Sequence, residues 1–187
     1  MTVTKALFAL AFATAIAFVG FAGSPVNASA GAKCAKTSSG GLSMTTKSCM
    51  APKKAKLING KAIAPRNAPK RVKKAIAWAN KIRTKPYIYG GGHASFKSRG
   101  YDCSGAVSYA LRGGKFLSSP MASTGFMNWK KPGKGKWISV YSNPSHAYIV
   151  IAGLRFDTSN TGGNGPRWSK SLQSTSGTFK VRHPGRF

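Results

Sequence analysis

The stretch that most restricts the fold is residues 102–114, DCSGAVSYALRGG. Its apolar residues Ala106, Val107, Ala110 and Leu111 recur at helical spacing. Both ends are marked. Asp102 suits a helix N-cap, because a short carboxylate accepts the unpaired N–H groups of a first turn. Gly113–Gly114 supplies the stop, since glycine takes the backbone turn that ends a helix. A short helix is thereby pinned with Cys103 in its first turn. A thiol there meets unpaired backbone N–H groups and the positive helix end, which stabilise the thiolate. The same N–H groups could hold an oxyanion beside the sulfur.

The surrounding elements follow from periodicity. Val72, Ala75, Ile76, Ala79 and Ile82 form one apolar stripe, which predicts a helix with Asn67 as N-cap, Pro69 in the first turn and Lys73, Lys74 and Lys81 off the stripe. Residues 31–68 are rich in Lys, Ala, Ser, Gly and Pro and read as a basic, flexible tail or linker. The domain then runs over 69–187. Strand-like runs occupy 136–141, 146–153, 154–159 and 177–183, with 146–159 a hairpin candidate. The glycine-rich stretch around Arg167 and Trp168 reads as a loop, either lining a cleft or pinned to the surface by a buried Trp. Helices followed by an antiparallel meander define an α+β fold.

Composition bears on partners and compartment. Thirty Lys and Arg stand against two Asp and no further acid, a net charge of +28. Such a chain is attracted to polyanions in a salt-sensitive way. Residues 1–30 read as a secretory signal, with Lys5, the apolar run ALFALAFATAIAFVGFAG and the small residues of NASA. Cleavage is expected after Ala30; an uncleaved anchor is the alternative. The expected location is secreted, cell-wall or periplasmic, and export argues against nucleic acid. Cys34 and Cys49 could pair in an oxidising compartment, which leaves Cys103 as the odd cysteine. Three widely spaced histidines and these cysteines make no metal-ligand set, and no cofactor is expected.

A cysteine nucleophile needs a base, and the base gains from an orienting partner. His146 opens a strand downstream of the Cys103 helix, and Asp157 lies on the next strand. Two registers are open. A turn at Gly153–Leu154 pairs 150 with 157 and leaves Asp157 four residues along from His146, about 13 Å at strand rise. A turn at Ile151–Ala152 sets Asp157 opposite His146. The two carboxylates flank the best Cys and the best His. A purely structural alternative also stands: Asp102 only caps a helix and Asp157 pairs with an arginine. His93, on a glycine-rich loop, is expected as a cleft-wall or surface residue, and His183 as a bystander.

KPYIYGGG, GYDCSG and SHAYIVIAG together resemble the NlpC family of cell-wall cysteine peptidases, a papain-like group, over about residues 70–160. The resemblance implies a papain-like fold, with N-terminal helices packed on an antiparallel sheet and the nucleophile at a helix N-terminus. It implies Cys103 as nucleophile and His146 as general base, with Tyr87 near the oxyanion site. Asp102 and Ser104 fall on the substrate side, where some members bind the free amine of a stem peptide. Tyr89 stands where the family usually has Trp. Asp157 matches the third polar position, usually His, Asn or Gln, with Asn160 as the fallback. The implied activity is hydrolysis of peptidoglycan stem peptides through a thioester, at the γ-D-glutamyl–diamino acid bond. The basic tail and surface would hold the enzyme on anionic wall polymers. The rival reading is an inactive, basic wall- or polyanion-binding protein.

Overall fold

A computed structural model describes residues 54–159, 164–171 and 178–187. The signal-like segment 1–30, Cys34, Cys49 and Asn160 lie outside the described residues. The elements are β1 (Lys56–Ile58), β2 (Lys61–Ile63), α1 (Lys70–Ile82), α2 (Cys103–Gly113), α3 (Ser123–Phe126), β3 (Lys131–Pro132), β4 (Ile138–Ser142), β5 (Ala147–Ile151), β6 (Leu154–Asp157), β7 (Arg167–Ser169) and β8 (Lys180–His183). Strands β3-β8-β4-β5-β6-β7 form one sheet in that order, and each neighbouring pair is antiparallel. Among the described residues no helix is long and apolar enough to cross a membrane. The architecture is mixed α+β with antiparallel sheets.

All five stripe positions of α1 are buried, and Lys73, Lys74 and Lys81 are exposed. The N-cap is Pro69 rather than Asn67, without a side-chain cap bond. The Pro69 carbonyl accepts the Lys73 N–H at 3.0 Å while its own backbone stays extended at ψ 148°. Proline therefore precedes the first turn instead of occupying it. Helix α1 packs on α2, and α2 packs on β5. The core fills the space between them and one sheet face, where Val140 and Phe156 flank Ile149 from the neighbouring strands. All three are fully buried. Each such side chain contributes about 1.5–3 kcal/mol by leaving water.

Three expectations change. Residues 56–63, inside the stretch read as a flexible tail, form a hairpin with register Lys56↔Ile63. Asn59 and Gly60 both take positive φ, 48° and 70°, the turn whose twist suits a two-residue hairpin. Second, the β5–β6 register is neither of the two anticipated: Ile151 pairs with Leu154 and Ile149 with Phe156. The turn is Ala152–Gly153, again with φ of 49° and 81°. Asp157 therefore lies level with Tyr148, on the same face as His146 and two residues from it. Third, Arg167 and Trp168 belong to strand β7, paired with β6 through Phe156↔Trp168. The Trp168 indole N–H donates to Asn80 Oδ1 at 3.0 Å, and Asn80 also bonds both backbone groups of Ala62 in β2.

Candidate active site

The site begins with the docking of one loop on one helix end. Asp102 caps α2, accepting the Gly105 N–H at 2.7 Å. Gly105 is required by a close approach: a Cβ there would stand 2.0 Å from the Gly91 carbonyl oxygen. Further bonds fix the loop 86–92: Tyr101 N–H to the Pro86 carbonyl at 3.0 Å, Asp102 N–H to the Gly91 carbonyl at 3.2 Å, and Gly90 N–H to Asp102 Oδ2 at 3.1 Å. Tyr87, Asp102, Cys103 and Ser104 thereby line one cleft of about 580 Å³. Cys103 is the first residue of α2, half-buried at its floor.

His146 directly precedes β5. Asn143 Oδ1 accepts its backbone N–H at 2.8 Å, and the Asn143 N–H returns a bond to the His146 carbonyl at 2.9 Å. Its ring Nε2 stands 2.9 Å from Asp157 Oδ1. With Nε2 turned to the carboxylate, Nδ1 is the ring nitrogen left for a second partner, and His146 and Cys103 act on each other electrostatically. The Ala147 N–H also favours the Cys103 thiolate. The His146–Asp157 pair comes from the start of β5 and the end of β6, and Cys103 from the start of α2.

The electrostatics follow from that arrangement. Burial pushes the Cys103 thiol up, but bonds from His146 and the Ala147 N–H and the His146 charge outweigh it, so the thiol lies below its ordinary value. Burial alone would lower His146. Its bonds to Asp157 and Cys103, and their charges, raise it to about 9. Asp157 is depressed, because His146, Arg155 and the Ser159 N–H outweigh the cost of burying it. At neutral pH His146 is an imidazolium and Asp157 a carboxylate, and the Cys103 thiol is shifted toward its thiolate. The Tyr87 hydroxyl is raised, by burial first and then by the charges of Cys103 and Asp102. It therefore stays a neutral donor beside the sulfur.

Two side chains escaped sequence reasoning. Arg155 is buried and grips Asp157 Oδ2 through Nε, at 2.8 Å, and Nη2. The Ser159 hydroxyl donates to Asp157 Oδ2 at 3.1 Å and lies 3.3 Å from His146 Nε2. Strand alternation was the available signal, since 155, 157 and 159 share a parity. The structural alternative and the chemical one coexist: Asp157 binds an arginine and a histidine together. On the other side of Cys103, His93 lines the cleft. Its Nε2 lies 3.0 Å from Asp102 Oδ2 and 3.0 Å from Ser104 Oγ. His183 ends β8, paired with Lys131. Among the described residues no metal-ligand set of His, Cys, Asp or Glu assembles.

No protein-family model matches the sequence, and no curated protein matches it. Among solved structures, the chain is similar in part to the peptidoglycan hydrolase RipB from Mycobacterium tuberculosis. The two are 21% identical, with a TM-score of 0.47, over 62% of this chain and 68% of that one.

Proposed function

We propose that this chain is a secreted cysteine peptidase or amidase that hydrolyses peptidoglycan stem peptides. The observation that carries the reaction type is the His146–Asp157 pair, with Asp157 buried and Cys103 at a helix start. The substrate class rests on the resemblance of the Pro-Tyr, Asp-Cys-Ser-Gly and strand-initial His motifs to NlpC peptidases. The same resemblance points to the γ-D-glutamyl–diamino acid bond.

In this reading the Cys103 thiolate attacks the amide carbonyl. The negative charge gathers on the carbonyl oxygen, beside the first-turn N–H groups of α2 and the Tyr87 hydroxyl. His146 gives its proton to the leaving amine, and a thioester to Cys103 remains. Neutral His146 then takes a proton from water, whose oxygen attacks the thioester and releases the acid. Asp157 holds the ring orientation and favours the imidazolium. Asp102 and Ser104 form the substrate side of the cleft. The Asp102 carboxylate is already engaged by the N–H groups of Gly90 and Gly105 and by His93, so it acts there chiefly through the groups it holds.

The test is release of soluble fragments from purified peptidoglycan, comparing residues 31–187 with the Cys103→Ala variant and weighing the fragments by mass spectrometry. Release by the parent alone supports the reading, and the masses name the bond. If neither protein releases fragments while both bind walls in a salt-dependent way, the chain is a basic wall-binding protein instead.

A further inference from the structure

A second concavity, of about 820 Å³, lies at the far end of α2 from Cys103. Ten residues of helix separate the two ends, about 15 Å at the helical rise. Lys74, Trp78 and Lys81 come from one face of α1, at i, i+4 and i+7. Arg112 comes from the last turn of α2 and Lys115 from just past its cap Gly114. Lys81 and Arg112 sit in the last turns of their helices, where outward carbonyls favour cations. The four basic side chains are exposed. The chain's two side-chain carboxylates, Asp102 and Asp157, are buried in the catalytic region, so no acidic side chain neutralises this groove.

The floor is aromatic and held rigid. Trp78 is partly exposed, whereas Trp129, Trp137 and Trp168 are buried. Its ring lies against Gly113, where a Cβ would come within 2.3 Å of it, and it packs on Tyr109 at 4.9 Å between centroids. Lys81 Nζ stands 5.4 Å from the ring centre.

We propose that this groove binds a linear polymer whose negative charges are phosphodiesters, with the uncharged units between them resting on Trp78. Lys74 and Lys81 are seven helical residues apart, about 10 Å along the axis. One small anion cannot bridge that span, whereas a chain with repeated charges can. Lysine ammonium groups act as compact point charges that suit phosphate oxygens. The partly exposed indole offers apolar surface to the carbon units between charges. The site is separate from the Cys103 cleft and is read by binding alone, so its failure and the failure of the hydrolase reading are distinct outcomes.

The experiment titrates poly(glycerol phosphate) into the full chain and follows tryptophan fluorescence over a series of salt concentrations. One variant carries Lys74→Gln, Lys81→Gln and Lys115→Asn. Its control carries Lys56→Gln, Lys61→Gln and Lys131→Gln, three exposed lysines elsewhere. The groove variant is expected to bind roughly tenfold more weakly than the control, and its log K against log salt slope to fall by about one per lost phosphate contact. Trp78→Phe is expected to keep binding and lose the fluorescence change. Equal losses in the two lysine variants overturn the site, as does a fluorescence change that survives Trp78→Phe. Equal affinity for poly-γ-glutamate of matched charge density overturns the phosphate assignment. Matching melting temperatures of the variants assign any loss to binding rather than folding.

Discussion

The chain's two carboxylates each meet a histidine, and the two pairs are built differently. His146–Asp157 joins the start of one strand to the end of the next, with Asp157's side chain fully buried. Side chains and one backbone N–H hold that carboxylate: Arg155 and the Ser159 hydroxyl on Oδ2, the Ser159 N–H on Oδ1 beside His146. His93–Asp102 joins a loop to a helix end, and its histidine is a third exposed. Two backbone N–H groups, one of them as a helix cap, and the Ser104 hydroxyl hold that carboxylate. The difference teaches that a short Asp–His contact alone does not define chemistry. Both pairs lie near the thiol, and His146–Asp157 is the one whose carboxylate is fully buried and whose imidazole is raised by its partners. The other pair shapes a wall.

The sharpest way to break this contrast is to remove each imidazole. His146→Ala should lower kcat on peptidoglycan fragments by about 100- to 10,000-fold, the usual worth of a positioned proton carrier. His93→Ala should leave kcat within a few-fold and act mainly on KM. Comparable losses in kcat would make the two pairs equivalent. A smaller effect separates the carboxylates in denaturant unfolding. Asp157→Asn leaves Arg155 buried without its counter-charge and should cost on the order of 3 kcal/mol. Asp102→Asn keeps a good cap and should cost less than about 1 kcal/mol. Equal costs would remove the distinction.

The finest test is titration. His146, raised from 6.5 to about 9, binds its proton more tightly when folded. Its contribution to stability is fully present below pH 6.5 and is lost as pH rises through about 9. Activity should fall over the same alkaline range, as the proton for the leaving amine is lost. Asp157, depressed from 3.8, works the other way: its contribution is present above that value and is lost as acid titrates the folded carboxylate. By NMR, Cys103→Ala should lower the His146 titration from about 9, because the thiol supplies part of the upward shift. An unchanged titration would mean that Asp157 alone sets it.

The helices were legible because their signals are local. The stripe from Val72 to Ile82 and the cap at Asp102 each need only a few neighbouring residues, and both formed. The partnership of His146 with Asp157 was expected from the motifs, but the register that brings them together was not legible. It depends on a turn in which Ala152 takes positive φ, a conformation that alanine rarely signals. The first hairpin had its sign in Asn59–Gly60, masked by Lys56 and Lys61 on its outer face. Arg155 was missed for a physical reason: arginine ordinarily stays at the surface, and only its contact with Asp157 makes its burial tolerable. Strand β7 was hidden by glycines on its N-terminal side, because its place in the sheet is set by a distant partner, Asn80.

That amide has a consequence for how the molecule opens. Asn80 is buried; its Oδ1 accepts from both the Ala62 N–H of β2 and the Trp168 indole of β7, and its Nδ2 donates to the Ala62 carbonyl. Losing β2 strands the Asn80 amide N–H away from water, and losing β7 removes the indole's bond to it. The first hairpin and the strand after residue 164 lie about a hundred residues apart, yet they share one latch. They should exchange their amide hydrogens as a single cooperative unit, separately from the Cys103 helix.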